Sequence, residues 1–262
     1  FRTHAHPLYL RGLEETGIET ERIPSVADMD RKLQRFGWRA VPVSGFIPPT
    51  AFMEFQSLGI LPIACDMRVI QHTAYTPAPD IVHESAGHAP ILVDPAYAAY
   101  IKAFGKVATK AIYNHHDTAA YEAIRSLSII KEDLDSTPEE IARAEQHLKQ
   151  VSAAAAQARP SEAALLTRMF WWTVEYGLIE TEAGTKIFGA GLLSSVGESR
   201  SCWSPEVEKV PFSIECLDRT YDITKPQPQL FVTPSFPRLT EVLQEYEATM
   251  AFRVGGVAGL DK

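Results

Sequence analysis

Cysteine is scarce in this chain: Cys65, Cys202 and Cys216 are the only three in 262 residues. Their odd number, in no metal-ligand spacing, leaves out a cysteine-built zinc site and points to a reduced, cytoplasmic protein. Basic runs are lacking as well. The net charge is -8 and no five consecutive residues are basic, which speaks against nucleic acid and against an anionic membrane as partners. No apolar stretch approaches the roughly 18 residues that a membrane-spanning helix needs. The residues after Phe1 show no secretory leader pattern. Linkers rich in Gly, Ser or charge are missing, and so are internal repeats, so a single domain over 1–262 is the expectation. Hydrophobic content of 45% and charged content of 22% are those of an ordinary globular protein.

Helix signals outnumber strand signals, and no alternating βαβ pattern shows, so the fold expected is mainly α with a few short strands (α+β). In "SVADMDRKLQRFGW" Ser25 can cap a helix whose apolar stripe is Val26, Met29, Leu33 and Phe36, with Gly37 as its stop. "RAVPVSGFIPP" reads as extended. Around 130–160 a helical segment begins with Thr137 as cap and Pro138 at the first position. Its stripe is Ile141, Ala144, Leu148 and Val151, and Glu139 with Arg143 and Glu145 with Lys149 are spaced as i,i+4 pairs. "SEAALLTRMFWWTVEYGL" is apolar on nearly all faces and therefore predicted to be buried. "QLFVTPSF" is a short strand ended by Pro234, and "LTEVLQEYEATMAF" is an amphipathic closing helix.

The chemistry-bearing stretch is "YTPAPDIVHESAGHAPIL". It carries a His-Glu pair, His83 and Glu84, but the second histidine, His88, stands five positions on, where zinc hydrolases of the His-Glu-x-x-His type have four. Asp80 can cap a helix starting after Pro79, and Pro90 biases that helix to end near His88. On a regular α-helix five residues leave the two imidazoles about 140° apart, so a shared metal requires a distorted helix end, for which Gly87 gives freedom. Glu175, in the apolar "FWWTVEYGL", is a buried carboxylate that needs a partner or a metal. Two His and one carboxylate form the facial triad of non-haem Fe(II) oxygenases. A zinc hydrolase on the same three residues stays open, as does a structural metal. A 2-oxoglutarate oxygenase shares the triad, but on a β-sandwich rather than on helices.

Four blocks carry a further observation: "YTPAPDIVHESAGHAP", "WTVEYGL", "GAGLLSSVGE" and "YDITKPQPQLFV", in that order. Together they run from about Gly45 to Val232, and the chain resembles the catalytic domain of the pterin-dependent aromatic amino acid hydroxylases. The resemblance implies a monooxygenase using Fe(II), tetrahydropterin and O₂ to hydroxylate the ring of an aromatic amino acid. It implies iron ligands at His83, His88 and Glu175, and a substrate-carboxylate clamp at Arg68. Thr76 and Ser194 are implied to assist with the amino acid backbone, and Pro79 and Trp171 to wall the ring pocket. Gly45, Ile47, Phe52, Glu84 and Phe170 fall on the pterin side. Ile223 falls where tyrosine-specific members carry aspartate, and an isoleucine offers a phenolic hydroxyl no partner. The resemblance thus favours L-phenylalanine, hydroxylated para to tyrosine or meta to m-tyrosine, with tryptophan as the alternative. The tail that makes tetramers of the animal enzymes is not recognisable, so a monomer or dimer is expected. The chain departs from the family pattern at Pro48, Pro49, Ser85, Ala86, Phe170 and Tyr176. The stretch from His88 to Glu175 is also longer than in the animal enzymes, and the segment around 130–160 fills it.

Overall fold

The computed structural model describes residues 3–19, 21–44, 47–68, 79–223 and 225–250. Helix α1 (Pro7–Thr16) ends on Gly17 at φ 77°, a left-handed conformation that glycine adopts without steric cost. Helix α2 (Val26–Leu33) is capped by the Ser25 hydroxyl, which accepts from the Asp28 N–H. A single 3₁₀ turn, Gln34–Phe36, then leads to Gly37 at φ 73°. Start, stripe and stop are those predicted.

Strand β1 (Arg39–Val43), helix α3 (Pro49–Ser57) and strand β2 (Ile60–Ala64) follow. The strands pair in parallel, Arg39 opposite Ile60 through Val43 opposite Ala64. Parallel neighbours require a crossover, and α3 supplies it, so the chain does hold one βαβ unit that pattern reading missed. Pro42 and Pro62, one in each strand of the two-stranded ladder, hide the strand signal.

The segment after Asp80 is helical, but not uniformly so. His83–His88 form a π-helical turn, and Ala89–Val93 continue it as a 3₁₀ turn. The helix therefore does not stop near His88, as Pro90 had suggested; Pro90 sits at the start of the new turn, where its missing N–H costs nothing. Helix α4 (Pro95–Ala108) is capped by Asp94. Helices α5 (His115–Glu132) and α6 (Pro138–Gln157) each begin with a full capping box, from Asn114 with Asp117 and from Thr137 with Glu140. The helical segment expected around 130–160 is the second helix of a two-helix hairpin that already starts near residue 115. Of the two i,i+4 pairs expected on α6, Glu145 instead bonds Lys131 across the hairpin at 2.7 Å.

Helix α7 (Glu162–Phe170) runs into a second π-helical turn, Trp171–Glu175. The remaining elements are β3 (Leu178–Ile179), β4 (Lys186–Ile187), α8 (Ala190–Ser194), α9 (Glu198–Ser201), β5 (Glu208–Pro211), β6 (Gln229–Thr233) and α10 (Phe236–Glu247). Their sheet has the order β4-β3-β6-β5, with β3 and β4 antiparallel and the other neighbours parallel. One main core gathers Trp38, Tyr97, Tyr100, Phe104, Trp172, Phe188 and Phe231 with residues from α1, α2, α4, α7 and α10. Among the described residues no helix is long and apolar enough to cross a membrane.

Candidate active site

Both π turns are widened helix segments, and the widening places the site. In the first, the Ala89 N–H bonds the Glu84 carbonyl; in the second, the Tyr176 N–H bonds the Trp171 carbonyl at 2.9 Å. With i→i+5 bonding, residues five apart come nearly above one another. The 140° disagreement of a regular helix disappears, and His83 and His88 point the same way without a bent end. Their Nε2 atoms are 3.0 Å apart. Gly87 has a different task from the one expected of it. It lets the turn approach α8, since a Cβ there would lie 3.0 Å from the Ala190 carbonyl oxygen.

Glu175 arrives from the second π turn. Its carboxylate lies 3.3 Å from His88 Nε2 and 3.5 Å from His83 Nε2, and all three ligand atoms fall within 4.8 Å of one another. Two imidazoles and a carboxylate converging in a buried place suit a small divalent cation. The surroundings hold His83 and Glu175 in ligand form. Burial pushes the pKa of His83 down to about 4. His88 is also driven down by burial, but the Glu175 charge and hydrogen bond outweigh that and raise it. Glu175 in turn is driven up by burial, and the two histidines more than reverse this, so it stays ionised. His83 Nδ1 lies 2.9 Å from the Ser194 hydroxyl. A proton on that nitrogen leaves Nε2 free as a lone-pair donor.

Arg68 is not a surface strand residue. Its side chain is 5% exposed and makes a two-armed pair with Asp80: Nε donates to Oδ2 at 2.8 Å and Nη2 to Oδ1 at 2.7 Å. A third N–H, on Nη1, donates to the Ser194 carbonyl at 2.8 Å. A guanidinium has five N–H donors, so two remain unused among the described residues. Asp80 was read as a helix cap, and it is one, accepting from the His83 N–H at 2.9 Å. Its second task, orienting Arg68, was missed: no periodicity links residues 12 apart. Burial raises the Asp80 carboxyl, but the hydrogen bonds from Arg68 and from the His83 N–H, with the Arg68 charge, hold it below the ordinary range.

A cavity of about 360 Å³ opens over the three ligands. Pro79, Trp171, Ser194, Ile223, Ile47, Phe52, Glu84 and Phe170 all line it. Arg68 stands beside it through Asp80 and Ser194, while Thr76 and Gly45 lie outside the described residues. Trp171 is sandwiched, with Tyr221 at 4.3 Å and 10° on one face and Tyr176 at 4.5 Å and 28° on the other. Sequence reasoning had found neither stacking partner's role. Phe52 meets Phe170 edge-on at 6.2 Å. Glu84 is buried beside the cavity, which pushes its carboxyl up to about 8, and its Oε2 has no hydrogen-bond partner among the described residues. A flat heterocycle with ring N–H donors would satisfy that oxygen. The largest omission is α5, whose Ile124, Ser128 and Ile129 also line the cavity.

Facial His-His-Glu donors, an arginine held by an aspartate and an aromatic-walled cavity define a class of mononuclear metal oxygenase, and comparison with known proteins gives the family. The chain belongs to the biopterin-dependent aromatic amino acid hydroxylases, whose family model matches residues 2–120 and 137–255. It is 30% identical over 239 residues to a phenylalanine-4-hydroxylase of Pseudomonas aeruginosa, covering 90% of this chain and 73% of that one. With the phenylalanine-4-hydroxylase of Mesorhizobium japonicum it shares 31% over 259 residues, covering 96% and 77%. Among solved structures, phenylalanine hydroxylase of Chromobacterium violaceum with iron and phenylalanine bound superposes with a TM-score of 0.67 at 28% identity, over 94% of this chain and 75% of that one. The same enzyme with iron(III) and 7,8-dihydrobiopterin gives 0.69 at 26%, over 99% and 81%. The mainly helical fold expected is thus the fold of this family.

Proposed function

We propose that this chain is an Fe(II)- and tetrahydropterin-dependent monooxygenase that hydroxylates the ring of L-phenylalanine, acting as one catalytic domain, monomeric or dimeric, in the cytoplasm. The observation that carries the reading is the convergence of His83, His88 and Glu175 from two π turns at the floor of an aromatic-walled cavity. Phenylalanine hydroxylases that bind iron, phenylalanine and dihydrobiopterin are similar in sequence and structure. When bound, iron and reduced pterin supply the activation of O₂ and the electrons that ring hydroxylation consumes.

The protein's own residues position the reactants. His83, His88 and Glu175 would hold the metal at the cavity. Arg68, already fixed by Asp80, offers its remaining donors to the substrate carboxylate, and Thr76 and Ser194 assist at the amino acid backbone. A guanidinium restrained in advance loses little freedom when it binds. Trp171, immobilised between two tyrosine rings, gives the phenyl ring a rigid wall, with Pro79 and Ile223 around it. Phe52, Phe170, Ile47 and Gly45 make the pterin side, where Glu84 accepts from the heterocycle. The apolar lining keeps water from the reacting centre. Ile223 supports phenylalanine over tyrosine, because it leaves a ring hydroxyl unpaired in an apolar place. The relatives being 4-hydroxylases supports the para position.

Oxygen consumption with Fe(II), reduced tetrahydropterin and each aromatic amino acid in turn tests this, with the product identified by NMR. Phenylalanine should give the fastest consumption and tyrosine as product. m-Tyrosine would revise the ring pose alone, and preference for tryptophan would revise the substrate. Oxygen uptake that no aromatic amino acid stimulates, or hydrolytic activity with zinc, would overturn the reading.

A further inference from the structure

The cavity has a wall supplied by a segment that the family model does not match. That model leaves out residues 121–136, and within this gap Ile124, Ser128 and Ile129 line the cavity over the metal ligands. They stand on α5, which packs against α6 around a small core of its own, Ala123, Leu127, Ala144 and Leu148. Ala123 and Leu127 face α6, while Ile124 and Ser128, one position on, turn to the cavity, as the 100° step of a helix dictates. The hairpin meets the rest of the site through Ile223, which packs against its core and also lines the cavity. Ile223 follows by two residues Tyr221, the ring stacked on Trp171. This links the hairpin to the Trp171 wall of the cavity. Ile129 is 53% exposed.

We propose that the α5–α6 hairpin is the specificity element of the aromatic site. Ile124 and Ile129, backed by Ile223, close the ring end of the cavity and limit it to a single six-membered ring, and these two α5 side chains, in the stretch that the family model does not match, set the preference of phenyl over indole. The size limit is steric: a branched aliphatic side chain on a helix that is backed by its own packed core cannot yield without opening the hairpin. This inference rests on the substrate class assigned above, and its test separates the two.

The test is equilibrium binding of L-phenylalanine and L-tryptophan to the metal-loaded protein by calorimetry, together with kcat/KM for both amino acids. The variants are Ile124→Ala, Ile129→Ala and Ile124→Phe, each checked for an unchanged melting transition. Ile129 is exposed enough that its truncation leaves folding intact. Both alanine variants should raise the tryptophan-to-phenylalanine ratio, in affinity and in kcat/KM, by at least fivefold. Ile124→Phe should weaken phenylalanine binding by at least fivefold. A ratio that stays within twofold of wild type in all three variants would overturn the proposal. So would a shift in pterin affinity with the ratio unmoved, because it would place the hairpin on the cofactor side. Wild-type protein that binds no aromatic amino acid would overturn the substrate reading, and the inference with it.

Discussion

The two π turns and the α5–α6 hairpin both face the cavity, and they are built in opposite ways. The π turns lie in the main core, with His83, Glu84, Ser85, Gly87 and His88 all buried and neighbours that leave no slack. A Cβ at Gly12 of α1 would run into the carbonyl of Pro90, two residues past His88, and Gly87 rides against Ala190. The hairpin has a core of four buried residues separate from the main one, and an exposed outer face. The difference teaches where each kind of function can reside. Metal ligands need positions fixed to fractions of an ångström, and only a densely packed core over-determines an energetically costly π turn. A selectivity wall needs the correct volume but not that rigidity, so an added element with its own small core can provide it.

That contrast can be broken from either side. The largest effect is expected from Glu175→Gln, which keeps the shape but removes the charge that a divalent cation requires. Removing even a supporting partner of a metal ligand typically costs about 10–100-fold in affinity, so loss of the ligand charge should exceed about 100-fold. Metal analysis after dialysis reads this, with circular dichroism to show that the helices remain. Iron retained at wild-type level would mean that the carboxylate is not a ligand.

Asp80→Ala comes next. It leaves the buried Arg68 guanidinium without its partner, a loss of about 3–5 kcal/mol visible in chemical denaturation, and it should raise the KM for the amino acid more than it lowers kcat. The wild-type pair also has a pH signature. Because the folded pKa of Asp80 lies below the ordinary carboxylate value, its contribution is fully present above that ordinary value and is lost as the pH falls through the folded one. The variant should therefore lose less stability on acidification than wild type. Equal acid sensitivity of the two proteins would speak against the pair as a source of stability.

Gly12→Ala is a smaller insult, on a helix that supplies no ligand. Overpacking a close helix contact costs about 1–3 kcal/mol, and the push falls on Pro90 and through it on His88. A lower melting temperature with weakened metal retention is expected; a lower melting temperature with undiminished metal affinity would show that the first π turn is not held by α1. The smallest effect on the metal belongs to Leu148→Ala in the hairpin core. It should speed amide exchange in α5 and α6 while metal affinity stays within twofold of wild type. Loss of metal in this variant would abolish the distinction between the two regions.

The same division explains what the sequence made legible. Capped elements with one apolar stripe, α2 and α6, were readable because each is decided within a few residues: Ser25 to Gly37, Thr137 to Glu140. The identity of the ligands was readable because few residue types bind metal and they stand in recognisable blocks. Their geometry was not. An α-helical wheel sets His83 and His88 apart, and the π turn that reunites them depends on the packing of Gly87 against Ala190 and of Pro90 against Gly12, both partners from elsewhere in the chain. The Arg68–Asp80 pair and the Tyr176–Trp171–Tyr221 stack are likewise products of tertiary placement. Helix α5 escaped notice because it serves two surfaces: Ala123 and Leu127 pack on α6, and Ile124 turns to the cavity, so its pattern shows no single face.

The most direct test is a crystal of the protein grown with Fe(II) under anaerobic conditions, with anomalous diffraction recorded on either side of the iron edge. The prediction is one peak per chain, bonded by Nε2 of His83, Nε2 of His88 and the carboxylate of Glu175, on the cavity side of the two π turns. A peak bonded by other residues, or no iron peak while zinc occupies the triad, would contradict it.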